Sequence, residues 1–301
     1  MIPADTSPTV CVVGSVNLDL VVYGSQLPSP GETVVGGTFA QFPGGKGANQ
    51  ALAAQRLGAR VSLVAAVGND TMAATALHRL EAADVDLSSV VVVDDAATGV
   101  ALILVDDGGE NMISVASGAN HRLQVSTIPP ADVTLCQLEV KDGPLVAAAR
   151  TATGLFVVNA APARPLPASV AARADVIIVN ETENTQLADQ LAQCRAIRVV
   201  TLGRHGAAAY HQDREIARCA GYAVDAVDTV GAGDAFVGAL VTAIASAPPP
   251  ARSYLNDRIA PALEFACLAG ALATTKPGAQ SASPTRAELE SLSPRIRRAS
   301  A

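Results

Sequence analysis

The chain has no tryptophan, and five phenylalanines with four tyrosines are the only large aromatics among its 301 residues. Basic charge is also scarce, with 21 Lys and Arg against 28 Asp and Glu and a formal net charge of −7. Together these absences exclude both the stacking platform and the electropositive footprint of a nucleic-acid binder. The five cysteines (Cys11, Cys136, Cys194, Cys219, Cys267) are odd in number, scattered and without Cys-x-x-Cys spacing, which excludes a disulfide framework and a zinc site. A reducing cytoplasm is the expected location. His78, His121, His205 and His211 show no metal-ligand spacing, so no transition metal is expected. Although 50% of residues are hydrophobic, no apolar run approaches membrane-spanning length. The first eight residues, Met1 to Pro8, lack the basic and apolar segments of a secretory signal. The expected partners are small molecules or protein, with no nucleic acid and no membrane.

What is present is a regular alternation. Val-rich runs at 10–13, 61–67, 133–138, 155–158, 176–179 and 197–202 are separated by Ala-rich helical patterns. Runs buried on both faces and joined through helices predict an α/β fold with a mostly parallel central sheet covered by helices. A chain of this length buries roughly 75% of its unfolded surface, enough for a single domain over 1–301 with one large core. Residues 17–42 and 98–116 break the rhythm with alternating segments and turns, the second around Asp106-Asp107-Gly108-Gly109. They are expected to pair into a small antiparallel sheet that projects as a discontinuous lid. Pro248-Pro249-Pro250 reads as a connector to a helix over Asp257–Ala273, and the tail from Ser293 as frayed.

The densest chemistry lies at Asp228-Thr229-Val230-Gly231-Ala232-Gly233-Asp234, ahead of an apolar helix beginning Ala235-Phe236-Val237. Gly231 to Asp234 form its first turn, where unpaired N–H groups and the helix dipole attract anions. Gly231 and Gly233 let a phosphate approach the backbone. A carboxylate here repels phosphate unless it takes a proton from an attacking nucleophile, which makes Asp234 a candidate general base. The competing reading of Asp234 is a helix cap.

A second glycine cluster, Pro43-Gly44-Gly45-Lys46-Gly47-Ala48-Asn49-Gln50, also precedes a helical pattern. It is neither a Walker A loop nor a dinucleotide fingerprint. Asn49, on the first helical turn, offers a donor and an acceptor to a polyhydroxylated ligand. Asn17 and Asp19, two apart after the first strand, point the same way on an extended segment and could grip adjacent sugar hydroxyls; an ordinary Asx turn is the alternative. Asn180 and Glu183 follow the strand at 176–179, where they could serve phosphate and hydrated Mg²⁺ or simply cap a helix. Thr201-Leu202-Gly203-Arg204-His205-Gly206 follows the next strand, with glycines against which a nucleotide could lie.

These features, in this order, resemble the ribokinase family of sugar and nucleoside kinases from about Cys11 to Pro284. Gly44 to Asn49 and Asp228 to Asp234 carry the resemblance, supported by Asn180-Glu181-Thr182-Glu183, Gly118-Ala119-Asn120 and Lys276-Pro277-Gly278-Ala279-Gln280. Gly14 to Asp19, Pro30-Gly31-Glu32-Thr33-Val34, the Asn49-Gln50 pair and Gln137-Leu138-Glu139 resemble the members acting on ribose more than fructokinases or adenosine kinases. The resemblance implies a ribokinase-like three-layer fold with a β lid, and transfer of phosphate from ATP to the 5-hydroxyl of D-ribose. It implies that Asn17, Asp19, Gly45, Lys46, Gly47, Asn49 and Glu139 hold the sugar, that Asp234 is the base, and that Gly231, Ala232 and Gly233 form the anion hole. It further implies ATP at Asn180, Thr201, Gly203, Arg204, Gly206, Gly233 and Cys267, and Mg²⁺ reached through water by Glu183. A monovalent cation, K⁺, is implied at Asp228, Val230, Ala273, Lys276 and Gly278, as is a homodimer formed through the lid. A serine that commonly closes the cation site is Ala282 here, flanked by Ser281 and Ser283, and Cys267 stands where some relatives have a histidine. Another acceptor (2-deoxyribose, a ketose or a nucleoside) and a sugar-binding regulator without catalysis are the rival readings.

Overall fold

The computed structural model describes residues 7–246 and 255–292, so the proline connector and the tail lie outside the described residues. The main sheet contains β1 (Thr9–Val13), β4 (Arg60–Gly68), β5 (Asp86–Val93), β8 (Val133–Gln137), β9 (Leu155–Asn159), β10 (Val176–Asn180), β11 (Ile197–Thr201), β12 (Ala207–His211) and β13 (Arg214–Cys219). Their order is β13-β12-β11-β10-β9-β8-β1-β4-β5. From β11 to β5 every pairing is parallel, and the β11–β12–β13 end is antiparallel. The Val-rich runs account for β1, β4, β8, β9, β10 and β11. The edge strands β5 and β13 were not among them, because an edge strand is only partly covered and its apolar signal is diluted, and β12, paired on both sides, was missed because Ala207 to His211 contains no valine.

Alternate residues of one strand enter two separate cores, as strand geometry requires. Val10 and Val12 of β1 pack with Leu52, Leu63, Leu135 and Leu240 on one face, and Cys11 and Val13 with Leu145, Phe156 and Ile177 on the other. The covering helices are α1 (Lys46–Arg56), α2 (Thr71–Ala82), α3 (Asp142–Thr151), α4 (Ala168–Arg173), α5 (Glu181–Gln186), α6 (Ala188–Leu191), α7 (Ala232–Ala245), α8 (Leu255–Ala273), α9 (Ala279–Ala282) and α10 (Arg286–Leu292). Among the described residues no helix is long and apolar enough to cross a membrane.

One helix contact sets the geometry of the site. Gly238 of α7 lies against α1 so closely that a Cβ there would sit 2.5 Å from Ala53 Cβ and 2.8 Å from the Ala54 nitrogen. This close approach brings the heads of α1 and α7 side by side above the ends of the parallel strands, where open α/β sheets place their ligands.

A second sheet comprises β2 (Asn17–Tyr23), β3 (Thr38–Gly44), β6 (Gly99–Val105) and β7 (Asn111–Ala116), in the order β3-β2-β6-β7. The two expected segments do pair, each as an antiparallel hairpin. The seam between them is parallel rather than antiparallel, because β2 and β6 are each the first strand of their hairpin and run outward together. At the β6–β7 turn the Asp106 carboxylate accepts from the N–H groups of Gly108 and Glu110 at 2.9 and 3.0 Å.

Candidate active site

Asp234 does not cap α7. The N-cap is Gly231, whose φ of 77° belongs to the left-handed region that glycine tolerates. A Cβ at Gly231 would also lie 2.5 Å from Ala279 Cα. Asp234 stands three residues into the turn and its carboxylate turns toward α1. Asn49 Nδ2 donates to Asp234 Oδ2 at 2.9 Å and Gln50 Nε2 donates to Oδ1 at 2.8 Å. Gln280 Nε2 in turn donates to Asn49 Oδ1 at 3.1 Å, which fixes the Asn49 amide with its nitrogen toward Asp234.

Around the head of α1 the backbone is packed without slack. Gly45 opens the helix at φ 88°, and a Cβ on Gly47 would lie 2.5 Å from the Ser15 nitrogen. Glu139 Oε2 accepts from the Lys46 N–H at 3.0 Å and from Ser15 Oγ, and Ser15 Oγ accepts from the Gly47 N–H at 3.3 Å. On β2, Asn17 Oδ1 accepts from Asn120 Nδ2 at 2.8 Å. Asn17, Asn120 and Glu139 line a cavity of about 740 Å³ that extends past Val115 to Lys141. Asp19 lies against the Gly44 backbone. Its carboxyl is pushed up to about 6, first by burial and then by the charges of Glu139 and Asp234. Burial alone would lower Lys46, but Asp234, Glu139 and Glu183 outweigh it and its ammonium is raised, so Lys46 stays charged.

On the other side of Asp234, Lys46, Asn180, Glu183, Thr201, Gly231 and Gly233 line a cavity of about 170 Å³. Asn180 and Glu183 form the capping box of α5, Asn180 N–H donating to Glu183 Oε2 and Glu183 N–H to Asn180 Oδ1, both at 2.8 Å. The box occupies one oxygen of Glu183 and still leaves both residues at the cavity wall. Thr201 and Gly233 also line a larger cavity of about 680 Å³ with Gly203, Arg204, Gly206 and Cys267. Thr201 and Gly233 thus line both of these cavities, and Asp234 lines the smaller one.

The predicted cation residues also converge. Asp228 Oδ1 accepts from Val230 N–H at 2.9 Å and Oδ2 from Gly278 N–H at 2.7 Å, so one carboxylate ties the two loops together. Ala273 ends α8 just ahead of them. Lys276 sends its ammonium away to Glu288, at 2.6 Å, leaving only its backbone toward the loop. Ala282 is buried; Ser281 Oγ donates to the Pro277 carbonyl at 2.7 Å. Among the described residues no three His, Cys, Asp or Glu side chains cluster as a metal site.

Sequence reading assigned no role to Ser15, Asn120, Gln137, Asn159 or Gln280. All five are buried, and each reaches a site residue far away in the chain or a neighbour of one. Membership in quoted motifs hinted at Ser15, Asn120, Gln137 and Gln280, and Asn159 only follows the Val-rich run at 155–158.

Known proteins resemble this chain over nearly its whole length. The description "pfkB family carbohydrate kinase" matches residues 7–286. Ribokinase of Haemophilus influenzae is 34% identical over 305 residues, covering 93% of this chain and 96% of that protein. Deoxyribokinase of Salmonella typhimurium is 33% identical over 303 residues, covering 92% and 95% respectively. The solved structure of Arabidopsis thaliana ribokinase complexed with ribose and ATP has a TM-score of 0.83 at 26% identity, covering 95% of this chain and 98% of that one. The chain therefore belongs to the pfkB family of carbohydrate kinases, and it is an ATP-binding phosphotransferase with an alcohol group as acceptor.

Proposed function

We propose that the protein transfers the γ-phosphoryl group of ATP to the 5-hydroxyl of D-ribose, giving D-ribose 5-phosphate and ADP, with Asp234 as general base. The observation that carries this reading is the Asp234 carboxylate at the wall of the helix-head cavity, held by two amide donors and near enough to Asp19 and Lys46 to act on their charges. Asn17, Asp19, Gly45, Lys46, Gly47, Asn49 and Glu139 hold the sugar. Asn180, Thr201, Gly203, Arg204, Gly206, Gly233 and Cys267 hold ATP. The 5-hydroxyl gives its proton to Asp234 as its oxygen bonds to the γ-phosphorus in line, and the bond to the β-phosphate oxygen breaks to release ADP. The backbone of Gly231, Ala232 and Gly233 and the Lys46 ammonium stabilise the charge on the transferred group.

Mg²⁺ bound with ATP neutralises phosphate charge, and Glu183 reaches it through water; a single carboxylate suits an ion that keeps most of its hydration shell. A monovalent cation also fits the loops. The carbonyl oxygens of Asp228, Val230 and Lys276 accept no hydrogen bond among the described residues, which leaves an all-oxygen donor set.

The small sheet serves as a lid on a single domain. Tyr23 and Val115 are exposed and share the sheet face that carries Asn17 and Asp19, by the register of β2, β6 and β7. Closure would bury that face over the sugar and exclude water. Phe39, Leu102 and Met112, also exposed, lie on the opposite face, which a second copy of the chain would cover to form a homodimer. Free cysteines and the use of ATP suit a reaction in a reducing cytoplasm.

The test is ADP release from Mg-ATP with D-ribose, 2-deoxyribose, D-fructose and adenosine, each with K⁺ and with Na⁺. The proposal expects ribose to lead and K⁺ to raise turnover. A lead by 2-deoxyribose would match the deoxyribokinase relative, and a lead by adenosine would assign the cavity beyond Asn17 to a base. Either would overturn the acceptor while keeping the chemistry.

A further inference from the structure

Behind Asp234 runs a chain of buried amides whose direction is fixed from one end. The Ile178 carbonyl can only accept, so Asn159 turns its Nδ2 toward it at 3.2 Å and its Oδ1 away. Asn159 Oδ1 accepts from Gln50 Nε2 at 2.9 Å, which points Gln50 Oε1 in the other direction, where it accepts from Gln137 Nε2 at 2.7 Å. The second hydrogen of Gln50 Nε2 goes to Asp234 Oδ1 at 2.8 Å. Gln50 and Gln137 have no accessible surface, so solvent cannot substitute for either partner. The space for this chain is built into the backbone: a Cβ on Gly14 would lie 2.0 Å from Gln137 Oε1.

We propose that Gln50 is a positioning residue, locked by Gln137 and Asn159 so that it can only donate to Asp234. The inference rests on the reading of Asp234 as general base. An unlocked glutamine could rotate its amide and turn Oε1 on the carboxylate, which would repel the anion or accept a proton from the neutral acid. The lock removes that state. A fixed N–H on each carboxylate oxygen, one from Gln50 and one from Asn49, favours the charged form and leaves one lone pair per oxygen. The hydroxyl proton then has a defined destination, and the carboxylate needs no reorganisation as the proton arrives. The other charges facing Asp234 are Lys46 on α1, which favours ionisation, and Asp19 on β2, which opposes it; Glu139 and Glu183 act on Lys46.

The test uses Gln50→Leu, which deletes the donor, and Gln137→Met, which keeps Gln50 beside Asp234 and removes one of its two restraints at nearly constant volume, the one on Asn159 remaining. For each, and for Asp234→Asn, kcat, acceptor KM and melting temperature are measured at one fixed pH. The expected result is a kcat loss on the order of tenfold for Gln137→Met and more for Gln50→Leu, with acceptor KM within about twofold. A packing role alone would lower the melting temperature or raise KM and leave kcat of the folded variant unchanged, and that outcome overturns the proposal. If Gln50→Leu does not fold, Gln137→Met decides it. Retained turnover in Asp234→Asn would instead overturn the general-base reading, so the two failures are distinct.

Discussion

The heads of α1 and α7 are built from nearly the same words and used in opposite ways. Both helices start at a glycine with positive φ and no side-chain cap, Gly45 at 88° and Gly231 at 77°. At α1 the protein satisfies its own donors: Lys46 N–H goes to Glu139 at 3.0 Å, Gly47 N–H to Ser15 Oγ at 3.3 Å and Ala48 N–H to the Ser15 carbonyl at 2.9 Å. At α7 Ala232 N–H reaches the Thr229 carbonyl at 3.3 Å, while the N–H groups of Gly233 and Asp234 meet no protein acceptor among the described residues. A sealed helix head is a rigid bracket for side chains, here Lys46, Asn49 and Gln50. An open one, facing a cavity, is an anion site. The glycines alone do not say which; the partners do.

Asp234 belongs to the open head and Asn49 to the sealed one, so their contact is where the two uses meet. The largest expected effect is therefore at Asp234. Asp234→Asn keeps the size of the side chain and removes the base, and turnover should fall on the order of 10²-fold to 10⁴-fold. Acceptor binding should persist, because the proposed sugar contacts lie on α1, β2 and Glu139. Equilibrium binding of the sugar and steady-state turnover together check this, and unchanged turnover would remove Asp234 from the reaction.

A matched pair of alanines sharpens the comparison. A Cβ on Gly47 would meet the Ser15 nitrogen at 2.5 Å and the Gly14 carbonyl carbon at 2.6 Å, whereas a Cβ on Gly233 meets nothing within 4 Å. Gly47→Ala should therefore be a stability mutant, costing about 1–3 kcal/mol through overpacking. Gly233→Ala should melt at or above the wild-type temperature, since alanine favours a helix by up to about 1 kcal/mol. Its added methyl would stand where phosphate approaches, and kcat/KM for ATP should drop on the order of 10-fold to 10²-fold. If Gly233→Ala turned over like the wild type, the open head would lose its claim to the phosphate.

Legibility in the sequence followed the same divide. Features that depend on neighbours in sequence were readable: the doubly buried strands, the two glycine turns and the turn around Asp106. The capping box at Asn180 and Glu183 was written as one of two readings, and the structure contains it with both residues at the cavity. Features that depend on distant residues were not. Gln50 and Gln137 are 87 positions apart, and Asn49 and Gln280 are 231 apart, so no local spacing could pair them. The parallel seam between β2 and β6 was missed for the same reason: alternation identifies a strand but carries no direction for its partner.

The smallest effect tests the electrostatic side of the sealed head. Burial first, and then the charges of Glu139 and Asp234, move Asp19 up to about 6. In an unfolded chain the same group would titrate near its ordinary value of about 3.9. Between these values the native state keeps a proton that the unfolded state has lost, so this group's contribution to stability falls as pH rises from about 4 to about 6 and stays unfavourable above. Asp19→Asn should thus melt higher than the wild type at pH 7, with the advantage shrinking toward pH 4. The same substitution should weaken ribose binding, because an ionised carboxylate is the better acceptor for sugar hydroxyls. In the wild type, kcat/KM for ribose should fall on the acid side of about pH 6, while KM for ATP, set at the open head, should stay level. An ATP affinity that moved in step with the ribose limb would mean that the two heads are coupled electrostatically rather than divided in function.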